Sequence, residues 1–242
     1  MITLEQKQRI TNFLDDFNSF VYNKKTKPKL VAVSKKKEFD HILAAKSKGI
    51  SIFGESYPQE LRDKNSLKQQ SDPLDFDWHF IGNVQKNKIK YIVGTASLIH
   101  SVSSISIAQD IEDYCKKIGQ LNQEVLFQVN VSNDSNKQGF AEKELFKAIK
   151  LFENSDFIQL KGLMTILDFN LDDYQKRSCY QKLYKLGRQI SSLDFPEISM
   201  GMSQDYQIAI DEGATLIRVG TSIFGPRSVS YTHLTLPTKV SV

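Results

Sequence analysis

The chain has 242 residues, 40% of them hydrophobic and 25% charged, and its 32 basic and 28 acidic side chains leave a net charge of +4. That composition is ordinary for a globular protein, which excludes a disordered chain, and the length suits one barrel or one large domain. The lysines form no long basic block, so nucleic acid is not an expected partner, and no run approaches the ~18 apolar residues of a membrane span.

Hydrophobic periodicity lays out the elements in chain order. The opening "MITLEQKQRITNFLDDF" is amphipathic, without an apolar targeting core or cleavage site, and predicts a helix over 3–22 of a cytoplasmic protein. The strand "KLVAVS" (29–34), a helix over 37–48, the strand "ISIFGE" (50–55) and a helix over 57–69 follow. Next come the strand "DWHFIG" (77–82), a helix over 84–93, the strand "SLIHSV" (97–102) and a helix over 104–119. "EVLFQVNV" (124–131) is almost continuously apolar, as a parallel strand covered on both faces should be. The rhythm continues with a helix over 142–154, the strand "IQLKGLMTI" (158–166) and a helix over 172–192. It closes with the strand "EISMGM" (197–202), a helix over 204–212 and the strand "TLIRVGT" (215–221). Gly49, Gly119 and Gly213 each follow a helical run shortly before a strand, the usual place for a C-terminal cap. Cys115 and Cys179 fall in helical segments with no metal spacing and read as reduced thiols. The end, "SVSYTHLTLPTKVSV" (228–242), breaks the rhythm and resembles translated adapter or vector sequence, so the domain is taken as 1–227.

Eight strands alternating with helices predict a single closed (β/α)8 TIM barrel with an extra N-terminal helix. The alternative, an open doubly wound sheet, would carry a glycine-rich fingerprint after its first strand. That position holds "SKKKEF", with no glycine.

In a barrel the chemistry collects at the C-terminal ends of the strands. These ends are rich in glycine and hydroxyl residues and poor in carboxylates, which argues against a glycosidase and a hard-metal site. His41, His79 and His100 show no ligand spacing, and His79, between Trp78 and Phe80, reads as a packed or hydrogen-bonded core histidine. No G-x-S-x-G elbow appears. "SMGMS" (199–203) places Gly201 and Ser203 at a strand-to-helix junction, with Ser203 in position to cap the next helix, and "RVGTS" repeats the pattern with Gly220 and Thr221. Free N–H groups at such junctions favour an anion, though the same glycines would also serve simple tight turns.

Lys35 follows strand one, which in a closed barrel neighbours strand eight and its Arg218. A partly desolvated lysine near other cations is a nucleophile towards aldehydes. One mouth would then hold an imine-forming lysine, two phosphate-binding turns and an arginine, a set that suits pyridoxal 5'-phosphate (PLP). The arginine would keep the pyridine nitrogen unprotonated. Lys36 and Lys37 read as solvated residues starting the next helix.

"LVAVSK", "FGESYPQE", "WHFIGNVQKNK", "IHSV", "QVNVSNDSNKQGF", "GLMTI", "SMGMSQD" and "IRVGTSIFG", in this order, resemble the pyridoxal-phosphate homeostasis proteins (YggS/PROSC-like), which share the alanine racemase N-terminal barrel. The resemblance covers residues 1–227 and implies the PLP fold type III barrel and a protein of vitamin B6 and amino-acid homeostasis without known turnover. It implies PLP held as an internal aldimine (Schiff base) on Lys35, Arg218 facing the pyridine nitrogen, and Ser203, Gly220 and Thr221 on the phosphate. Gly201, Met200, Asn83 and Ser56 complete the candidate cofactor-binding set, with no metal and no catalytic residue. Ser56 stands where that family usually has asparagine, and an acidic residue is usual near Ser103 or Ser104.

Other functions compete: a racemase or decarboxylase of the same barrel type, a lysine aldolase acting on a sugar phosphate, and a binding module for nucleic acid or protein. A racemase needs a second base from a further domain, for which the barrel leaves no residues. The expected partners are PLP and PLP-requiring apoenzymes, without membrane or nucleic acid, and the expected state is a monomer.

Overall fold

The computed structural model of the protein describes residues 2–226 apart from 72–73, 133, 135–136 and 195. The suspected foreign segment 228–242 and the domain boundary at 227 lie outside the described residues.

Eight parallel strands close into a barrel in strict sequence order. They are β1 (Lys29–Val33), β2 (Ile52–Glu55), β3 (Asp77–Phe80), β4 (Leu98–Val102), β5 (Gln123–Gln128), β6 (Ile158–Met164), β7 (Glu197–Ser199) and β8 (Leu216–Val219). The helices are α1 (Leu4–Val21), α2 (Phe39–Lys46), α3 (Pro58–Gln70), α4 (Ile105–Ile118), α5 (Glu142–Phe152), α6 (Asp173–Arg188), α7 (Tyr206–Asp211) and α8 (Thr221–Phe224). Between β3 and β4 the expected helix is a short 3-10 turn, Lys86–Tyr91. Strands seven and eight are shorter than read, ending at Ser199 and Val219, and the "TSIF" end of the last motif winds into α8.

Each strand separates two cores by its period of two. Val31, Leu98, Leu126, Met164 and Leu216 meet inside the barrel, with the partly buried Ile52 against them. Residues of opposite parity, among them Ala32, Phe53, Ile99, Phe127, Ile198 and Ile217, face the helices and join one large shell core. Burying one such side chain contributes about 1.5–3 kcal/mol, so the helical ring is held chiefly by this shell.

The extra N-terminal helix is present. Thr3 and Gln6 form a capping box at its start, and its buried face sets the Phe13 ring 5.8 Å from Tyr206 at the start of α7. Gly119 caps α4 in the left-handed conformation, and Gly49 and Gly213 also have positive φ after α2 and α7.

Candidate functional site

Closure sets β1 beside β8, with Val31 opposite Arg218 and Ala32 opposite Val219. Inward parity on β1 runs Val31, Val33, Lys35, and on β8 Leu216, Arg218, Gly220. By this register the lysine stands at the mouth two inward steps above the arginine. A cavity of about 290 Å³ opens there, and Lys35, Ser56, Ser203, Arg218, Gly220 and Thr221 all line it.

The run of three lysines resolves into three environments. Lys35 is half-buried on the cavity wall. The Lys36 ammonium lies 5.6 Å from the centre of the Tyr57 ring, on the outside of the mouth. Lys37 is not solvated as expected. Its Nζ donates to the carbonyls of Phe224 (3.0 Å) and Pro226 (3.2 Å), closing the C-terminal end of α8. Burial, and then the Arg9 charge, push the Lys37 amine below its ordinary value.

Ser203 does not cap α7 as expected; the residue before that helix is Asp205. Instead the Ser203 hydroxyl accepts the Gly220 N–H at 3.3 Å, tying the two glycine-bearing turns together. Asp205 organises the first of them: its Oδ1 accepts the Met202 N–H at 2.7 Å, and its Oδ2 accepts the Tyr180 hydroxyl at 2.9 Å. Glycine matters at two positions there, and the backbone conformation demands it at the first. Gly201 has φ +88°, and a Cβ would sit 2.5 Å from that of Ala209. At Gly220 a Cβ would meet the Val33 carbonyl at 3.2 Å, so glycine lets β8 pass close over the end of β1.

Arg218 is buried at the cavity floor. Its NH1 donates to the Ser199 hydroxyl at 2.6 Å and its NH2 to the Thr165 carbonyl at 2.8 Å. Among the described residues no carboxylate reaches ion-pair distance, so the charge is held by neutral acceptors. Burial pushes its pKa down to about 10, against a weaker upward pull from Tyr180 and Asp205, and the guanidinium stays protonated at neutral pH.

Behind Arg218 runs a relay that the sequence did not disclose. Ser199 Oγ lies 2.9 Å from His100 Nδ1, and His100 Nε2 lies 2.9 Å from His79 Nδ1. Arg218 can only donate, so the hydroxyl proton goes to His100 Nδ1, the acceptor in reach, and His100 Nε2–H then donates to His79. Burial drives His79 down to about 3 and His100 well below its ordinary value, so both rings are neutral, as this assignment requires. His79 is therefore a hydrogen-bonded core histidine, standing beside His100 on the neighbouring strands β3 and β4.

Other expected residues lie elsewhere. Met200 is buried beneath the turn, its N–H on the Leu216 carbonyl, and Gly201 accepts the Arg218 N–H rather than lining the cavity. Asn83 is exposed and not part of the wall, because β3 ends at Phe80 and the chain has turned outward. Ser104, where an acidic residue was expected, caps α4 by accepting the Ile107 N–H at 3.2 Å. The mouth is less poor in carboxylates than read, since Asp168 and Asp205 join the wall with Ile166, Phe169 and Lys176.

Known proteins place the chain in one family. The alanine racemase N-terminal domain family matches residues 12–228. The pyridoxal phosphate homeostasis protein of Vibrio alginolyticus is 38% identical over 207 residues, 83% of this chain and 87% of that protein. That of Synechocystis is 38% identical over 202 residues, 82% and 91% respectively. PipY of Synechococcus elongatus, solved with PLP bound, superposes with a TM-score of 0.79 at 27% identity, covering 91% of this chain and all of PipY. The chain belongs to the pyridoxal phosphate homeostasis protein family, within the alanine racemase N-terminal domain class.

Proposed function

We propose that the protein binds PLP at the barrel mouth, covalently through Lys35, and serves PLP and amino-acid homeostasis without turnover of its own. One observation carries the reading: a buried, protonated arginine, without a carboxylate partner among the described residues, sits beneath a lysine and two cross-tied glycine turns. A buried cation held by neutral acceptors alone is costly, and a ligand that adds a further acceptor offsets part of that cost.

The residues fit the group. Lys35 supplies the amine, which condenses with the aldehyde carbon to form a C=N bond and release one water. Arg218, clamped from behind by Ser199 and Thr165, would face the ring nitrogen of the bound group and cannot yield a proton to it. Ser203 and Thr221 offer hydroxyl donors for the phosphate, Gly220 lets the group approach the turn closely with its own N–H held on Ser203, and Ser56 faces the cavity beside them. When bound, PLP supplies an electron sink, and an unprotonated ring nitrogen weakens that sink, which favours holding over catalysis. The names of the relatives support the same role. The two free thiols suit a reducing cytoplasm. The proposed partners are PLP-requiring apoenzymes that receive the cofactor from a monomeric carrier.

Purified protein mixed with PLP should turn yellow, and borohydride should fix the adduct on Lys35. Lys35→Ala should abolish it. A colourless wild type, or an adduct that survives in Lys35→Ala, would overturn the reading.

A further inference from the structure

Lys35 rides on a tight turn whose conformation no glycine explains. The Lys37 N–H donates to the Ser34 carbonyl at 3.1 Å, closing a four-residue turn. Its third residue, Lys36, has φ +58°, a left-handed conformation uncommon for a side chain of this size. Strain of this kind, about 1–3 kcal/mol, persists only where surrounding contacts over-determine it.

Those contacts come from α3. Pro58 starts that helix three residues after Glu55, the last residue of β2. Glu60 and Lys64 then fall one turn apart on the face beneath the end of β1. The Lys64 ammonium is buried and uses all three of its protons: on the Ser34 carbonyl (2.8 Å), Glu55 Oε1 (2.8 Å) and Glu60 Oε1 (2.7 Å). Glu55 is fully buried and also accepts the Ser34 hydroxyl at 2.6 Å. Glu60 Oε1 in turn accepts the Lys36 N–H at 2.6 Å. The Ser34 carbonyl and the Lys36 N–H, at the start and in the middle of the turn, thus both end on one ion cluster. A buried ion cluster is a poor source of stability, because desolvation offsets most of its attraction, so its worth lies in the geometry it imposes.

We propose that Glu60 and Lys64, anchored on Glu55, are positioning residues that hold Lys36 left-handed and thereby aim Lys35 into the barrel mouth. This rests on the reading of Lys35 as the PLP-bearing lysine. Neither side chain lines the cavity, so their effect reaches the amine only through the backbone of the turn.

The test compares Glu60→Ala and Lys64→Met, each with and without Lys36→Gly, because glycine adopts positive φ at no steric cost. Two readouts are taken: the rate of yellow adduct formation with PLP, and amide hydrogen exchange at Lys36 in protein free of PLP. Glu60→Ala should slow adduct formation about tenfold, the loss of one hydrogen bond to a charged acceptor, and should speed exchange at Lys36. Adding Lys36→Gly should restore most of the adduct rate, which it would not do if the cluster merely stabilised the fold. Lys64 is buried, and Lys64→Met can fail to fold; the partly exposed Glu60 keeps the test decisive. Rates and exchange within twofold of wild type in Glu60→Ala, or no recovery with glycine, would overturn the proposal. If wild type takes up no PLP yet Lys36 exchange still responds to Glu60→Ala, the cofactor reading falls and the positioning of the turn stands.

Discussion

Ser199→Ala is the sharpest probe of how the cavity floor is built. The change removes one hydroxyl and leaves the packing almost untouched, but it orphans two buried partners. Arg218 NH1 loses an acceptor at 2.6 Å, and His100 Nδ1 loses the donor 2.9 Å away. A hydrogen bond to a charged group contributes about 1.5–3 kcal/mol, and a buried acceptor left bare costs about 1–3 kcal/mol. The sum should lie near 3 kcal/mol, since the two losses share one hydroxyl and do not add fully. For a domain of this size that corresponds to a melting temperature lower by roughly 6–12 °C. Circular-dichroism melts of the protein without PLP would measure it, and a double-mutant cycle with His100→Phe should return a coupling of about 1 kcal/mol. A loss below about 0.5 kcal/mol, the range of ordinary surface substitutions, would refute the relay as drawn.

The remaining predictions concern pH and the turns. His79 falls from 6.5 to about 3 on folding and His100 falls as well, so below pH 6.5 the unfolded chain takes up protons that the folded chain refuses. Stability is therefore intact above that pH and drops as pH falls, by up to about 1.4 kcal/mol per pH unit for each histidine; urea midpoints that stay flat down to about pH 5 would contradict the buried neutral pair. Gly201→Ala combines a φ of +88° with a 2.5 Å overlap on Ala209 and should cost well over about 1 kcal/mol; an unchanged unfolding midpoint would show that the turn is built otherwise. Lys37→Ala frees the carbonyls at the end of α8 and should release PLP severalfold faster while the adduct on Lys35 still forms; loss of the adduct itself would place the reactive amine at Lys37.

The barrel was legible because its signals are local. Alternation of strands and helices, caps at Gly49, Gly119 and Gly213, and the absence of a glycine fingerprint after β1 all act within a few residues. The errors fall where several turns compete for one place. Ser203 looked like a cap for the helix after it, yet its hydroxyl answers Gly220 in the turn after the neighbouring strand. Lys37 looked solvated, yet its ammonium closes a helix some 187 residues further along the chain.

The sequence by itself determined the repeating strand and helix, the inward parity that puts Lys35 and Arg218 on the barrel side of β1 and β8, and the glycine and hydroxyl content of the last two turns. These follow from backbone sterics and from the period of two along a strand. Only the tertiary structure decided which polar groups answer one another. His79, His100, Ser199 and Arg218 come from four different strands, and Glu55, Glu60 and Lys64 meet Ser34 across the gap between two strands. A hydrogen bond needs its partners within about 3 Å, and strand pairing together with packing across the barrel interior brings residues so far apart in sequence that close.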